Sequence, residues 1–119
     1  SDLLSPATTQ IAFYVSLRSG TSFDLRSIEV QAGNLAPVHH IYTERQVETL
    51  RMGAVQPLSS LNIGPGKHEL KARILGVDER GQNVQLDVTQ SIEKSSAPLL
   101  LEFVINAQSD YPNALVRVW

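Results

Sequence analysis

Three histidines are the residues best suited to a metal ion or a general base in this chain. His39 and His40 are adjacent in an alternating, strand-like run, so their side chains leave on opposite faces and cannot converge on one ion. His40 and His68 share an inward phase near strand ends and would meet only if their strands paired. No carboxylate is fixed beside them, so the expectation is histidines at the rim of a fold, bonded to backbone carbonyls. Nucleophilic chemistry has no better footing. There is no cysteine and no Gly-x-Ser-x-Gly elbow, and Ser59-Ser60 and Ser95-Ser96 read as turn residues. Glu69, Asp87 and Glu102 alternate outward from strands, where solvation or pairing with Lys71 or Arg73 is expected. Gly64-Pro65-Gly66 is stiffened by its proline and is followed by a strand, which does not suit a phosphate loop. The reading is of a non-enzymatic chain with no metal and no cofactor.

Aromatic residues offer binding instead. Tyr14 lies on the outward phase of its strand, Tyr111 precedes Pro112 in a loop, and Trp119 stands at position 119. Exposed aromatics are enriched at interaction surfaces. Tyr42 shares a strand face with Val38 and His40. The candidate binding residues are therefore Tyr14, His40, Tyr42, His68, Tyr111 and Trp119.

The elements that must position these residues are nearly all strands. Ile11, Phe13, Val15 and Leu17 alternate with Ala12, Tyr14, Ser16 and Arg18, the period-two signature of a strand with one face in a core. The phase then slips: Phe23 and Leu25 are odd, Ile28 and Val30 even, which predicts a β-bulge or turn near Arg26-Ser27. Gly33-Asn34 is a hairpin signal before a strand over Ala36–Tyr42. Thr43-Glu44-Arg45-Gln46 fits a capping box, so one short helix is expected over Glu44–Met52, closed by Gly53. Val55, Pro57 and Leu58 give a weak edge strand at most, and Leu61 to Gly66 reads as a turn. Lys67–Leu75 and Val84–Ile92 are strands joined by an Asp78-Glu79-Arg80-Gly81 turn. Leu99 to Ile105 is apolar on both faces, as in a central or covered strand. Leu115 to Trp119 is the last strand. The sum is an all-β, immunoglobulin-like antiparallel sandwich of about seven to eight strands with one crossover helix.

Composition narrows the function classes. The 119 residues suit one domain, here 10–119, preceded by a leader or linker over 1–9. At 42% hydrophobic and 18% charged, the chain can build a core without metals or disulfides. The net charge is −2 and the basic residues are dispersed, which disfavours nucleic acid as a partner. No apolar run reaches the ~20 residues that span a bilayer. The chain opens at Ser1 and its one methionine is Met52, which fits loss of an upstream segment such as a secretory signal.

Three segments carry a resemblance to a known group. They are Val38-His39-His40-Ile41-Tyr42-Thr43, Glu48-Thr49-Leu50-Arg51-Met52-Gly53-Ala54-Val55-Gln56, and Leu61-Asn62-Ile63-Gly64-Pro65-Gly66-Lys67-His68-Glu69-Leu70. In them the chain resembles small immunoglobulin-like proteins of the bacterial cell envelope, often encoded near tetratricopeptide and Tol/TonB-type genes and sometimes labelled AraC-type regulators. It departs from the group after Leu75, where Gly76 to Gly81 replaces a Gly- and Arg-rich continuation. The resemblance implies a periplasmic or otherwise extracytoplasmic, non-catalytic adaptor whose partner is another envelope protein. A regulator that reads DNA would need a helix-turn-helix, and one short helix cannot supply it. The competing expectation is a small-ligand or carbohydrate-binding sandwich, favoured if Tyr14, Tyr111 and Trp119 share a surface.

Overall fold

A computed structural model describes residues 8–18, 23–106 and 112–119. Each alternating run becomes a strand, giving β1 (Gln10–Arg18), β2 (Asp24–Ala32), β3 (Val38–Ile41), β4 (Gln56–Asn62), β5 (Gly66–Val77), β6 (Asn83–Lys94), β7 (Leu99–Asn106) and β8 (Asn113–Val118). One helix, α1 (Glu44–Arg51), links β3 to β4. Hydrogen bonding sorts the strands into a first sheet, β4-β1-β7-β8, and a second sheet, β3-β2-β5-β6. Their inward rows meet in one core that includes Ile11, Phe13, Val15, Ile28, Leu70, Ile74, Leu101, Phe103 and Ile105. This is the expected all-β sandwich with its crossover helix. The 12-residue strands β5 and β6 set its long axis, and the extents are 50 × 25 × 22 Å.

The local devices are those the residues dictate. The β2–β5 register shifts between Leu25 and Ser27, so the phase slip is a bulge at Arg26. In α1 the Thr43 hydroxyl accepts from the Gln46 amide at 3.2 Å, and Gln46 Oε1 accepts from the Thr43 amide at 3.0 Å. Val47 and Leu50 are the buried face of the helix, and Gly53 follows the cap residue Met52 at φ 99°. Gly76 is required by contact. A Cβ there would stand 2.3 Å from the Phe23 ring, which packs directly on the strand.

Three expectations need correction. First, β1 and β7 run parallel, pairing Ile11–Arg18 with Leu99–Asn106, whereas all other pairings are antiparallel. Six elements separate the two in sequence, ample chain for the crossover that parallel strands require. Second, β4 is a full edge strand that includes Leu61 and Asn62, which were expected in a turn. Its register with β1 shifts between Phe13 and Tyr14, opposite Pro57, the irregular edge position that tolerates a proline. Third, β6 runs beyond the expected Val84–Ile92 to Lys94, which continues its inward phase and is only 1% exposed. Its ammonium donates to the carbonyls of Thr8 (3.0 Å), Ser95 (2.8 Å) and Ala97, tying the entry of β1 to the β6–β7 turn. Among the described residues no helix is long and apolar enough to cross a membrane.

Candidate functional site on the outer face of the first sheet

The histidines do not form a site. β2 lies between β3 and β5, so the strands of His40 and His68 never pair. His40 stands opposite Ile28, and Ile28 opposite Ile74. Ile74 is six residues from His68, roughly 20 Å along a strand. His68 Nε2 meets the Gly64 carbonyl at 2.7 Å, as a rim histidine should. His40 departs from that expectation: its Nε2 meets the side-chain Oε1 of Gln46 at 3.0 Å. An amide oxygen only accepts, so the proton sits on His40 Nε2. The His40 ring also packs edge-on against Tyr42, with centroids 4.5 Å apart. Tyr42 is buried, and desolvation pushes its phenol well above the ordinary tyrosine range. His40 thus braces the start of α1 through Gln46, and Tyr42 belongs to the core beside it. Among the described residues no three His, Cys, Asp or Glu converge as a metal site.

The outer face of the second sheet is a solvated lattice of charge. Its central row runs His39, Glu29, Arg73, Asp87 across four strands. Arg73 meets Asp87 at 3.3 Å, and Lys71 meets Glu69 at 3.4 Å. A hydrogen bond from Gln85, and then Arg73 beside it, hold the Asp87 carboxyl below its ordinary value. The shallow depression here, about 350 Å³, is open and lined by Glu29, Lys71, Arg73 and Asp87. These carboxylates behave as expected.

Glu102 does not. It was expected to be solvated or paired with Lys71 or Arg73, yet it lies on the first sheet, 3% exposed. Its strand β7 sits between β1 and β8, so the outward row through it reads Tyr14, Glu102, Arg117. The Ser16 hydroxyl donates to Oε2. Trp119 Nε1 donates to Oε1 at 3.1 Å, and Arg117 stands 3.8 Å from the same oxygen. Buried charges are found paired and hydrogen-bonded, as this carboxylate is. The guanidinium of Arg117 also lies 5.5 Å from the Trp119 ring centroid.

Around this cluster the face is apolar. Ala12 and Val104 are buried, Tyr14 and Leu100 are half-buried, and Leu115 and Trp119 remain 43% and 65% exposed. Tyr14 and Trp119 therefore share one face, on either side of Glu102. Tyr111, the third aromatic candidate, lies outside the described residues. Chemically the cluster is saturated. Both oxygens of Glu102 are occupied, and Ser16 has a carboxylate partner but no histidine base. What it can do is hold an exposed indole in one orientation on an otherwise apolar surface.

Ser16, Glu102, Leu115 and Arg117 escaped the sequence reading of candidate sites. The available signal was faint: Tyr14 and Ser16 share a phase, as do Leu115, Arg117 and Trp119, but which strands adjoin is not written locally. Comparison of the chain with family models, with curated proteins and with solved structures returns no match.

Proposed function

We propose that this chain is a non-catalytic protein-interaction module of the bacterial cell envelope, docking through the outer face of the first sheet. One contrast carries the reading. The second sheet turns a charge-paired face to water, whereas the first places exposed Leu115 and Trp119 around a neutralised carboxylate. An apolar patch with a fixed aromatic and one arginine has the composition of interaction hot spots. The extracytoplasmic setting rests on the family resemblance of the segments between Val38 and Leu70.

A second reading draws on Tyr14 and Trp119 sharing that face, an arrangement also suited to a carbohydrate ring. Affinity capture from detergent-extracted envelope, using the wild-type chain and Trp119→Ser in parallel, separates the two. The module reading expects a stoichiometric protein with the wild type and about tenfold less with the variant. Equal recovery with both, or none with either, contradicts it. Glycan-array binding that disappears with Trp119→Ser supports the carbohydrate reading.

A further inference from the structure

A sandwich has four strand edges, and three of these are blunted. β3 is four residues long. β4 carries Pro57 and an irregular register. β6 presents an outward row of Gln85, Asp87, Thr89, Ser91 and Glu93. Short length, proline, bulges and charge are the usual protections against edge pairing. β8 has little such protection. Its sequence, Asn-Ala-Leu-Val-Arg-Val, contains one charge and no proline, and its register with β7 is regular.

The phase of its backbone groups is fixed by one bond. The Trp119 amide donates to the Leu100 carbonyl at 2.9 Å. Antiparallel pairing alternates, so Leu115 and Arg117 also exchange bonds with β7. Ala114, Val116 and Val118 then point their amides and carbonyls to the open side, and nothing among the described residues takes them. Val118 is 56% exposed.

We propose that β8 pairs antiparallel with β8 of a second copy about a two-fold axis at Val116, joining the two first sheets into one eight-stranded sheet. In that register Val116 meets the partner's Val116, and Ala114 meets the partner's Val118. All three open rungs on each side are used, making six backbone hydrogen bonds. On the outer face Leu115 falls opposite the partner's Arg117, and Asn113 opposite the partner's Trp119. No like charges are directly opposed. Centring the pair one residue later would place Arg117 against the partner's Arg117 and leave the open rungs unmatched.

The closing experiment measures mass in solution, by sedimentation or light scattering over a concentration series, for the wild type and three variants. The wild type is expected to run as a dimer at high concentration. Leu115→Lys places a like charge against the partner's Arg117 and should weaken the dimer by about tenfold, whereas Leu115→Glu places an opposite charge there and should preserve or tighten it. Val116→Pro removes an outward amide without touching the β7 ladder, and should give a folded monomer. A wild type that is monomeric at its highest soluble concentration overturns the proposal. So does equal weakening by Leu115→Lys and Leu115→Glu, which would mean apolar association without this register. The Leu115 pair decides the matter even where Val116→Pro fails to fold. Dimerisation does not depend on docking of another protein at the face: a monomer that still captures an envelope protein defeats only this inference, and a dimer that captures none defeats only the other.

Discussion

At the residue scale, Glu102 changes what the chain presents. A carboxylate in an apolar strand reads as a solvated outward position, but its neighbours turn it into an anchor for Trp119. Removing a donor, as in Ser16→Ala, leaves the buried carboxylate short of a partner and should cost about 1–3 kcal/mol in denaturant unfolding. Trp119 is the only tryptophan, so its fluorescence reports the anchor directly. In Glu102→Leu the indole is expected to become more quenchable by acrylamide, because its Nε1 loses its acceptor. Unchanged quenching would mean that the carboxylate does not hold the ring. Tyr42 makes a prediction in pH. Burial raises its folded pKa above the ordinary 10.0, so the folded state binds the proton more tightly than the unfolded state. Stability is therefore unaffected below about pH 10 and falls above it, by up to ~1.4 kcal/mol per pH unit. Urea titrations at alkaline pH should show a shallower fall in Tyr42→Phe than in the wild type.

At the element scale, most of the architecture was legible because its devices are local. The Thr43/Gln46 capping box, the slip at Arg26 and the glycine turns at Gly33 and Gly81 each lie within a few residues of the structure they specify. Thr43→Ala should cost about 1 kcal/mol, measurable as a drop in denaturation midpoint. The contact of Phe23 with Gly76 is different, since it joins residues 53 positions apart. Gly76→Ala should destabilise by about 1–3 kcal/mol through overpacking against the Phe23 ring. Phe23→Leu in the same background should recover part of that loss. The same distinction explains where the structure departs from local pattern. Nothing near Leu61 or Asn62 marks them as strand, because their partners are Gln10 and Ile11. Nothing beside Lys94 announces the Thr8 carbonyl that receives its ammonium.

At the scale of the molecule, what the sequence left open is adjacency. Period-two patterning tells inward from outward residues but is silent on which outward rows share a sheet. Glu102 shares its outward phase with Lys71 and Arg73, but they lie on the other sheet. The parallel β1–β7 pairing brings Tyr14 and Ser16 beside Glu102, and β8 adds Arg117 and Trp119 from the other side. The result is a molecule with two unlike faces, one neutralised in charge pairs and one apolar around a fixed indole. The claim that the second of these is the working face is tested most directly by site-specific photocrosslinking in the native cell. A photoreactive residue would replace Leu115 on the first sheet or Thr89 on the second. The account predicts a discrete adduct with a different protein from position 115, separate in mass from any crosslink to a second copy of the chain, and none from position 89. An adduct from position 89 alone, or from neither, would contradict it.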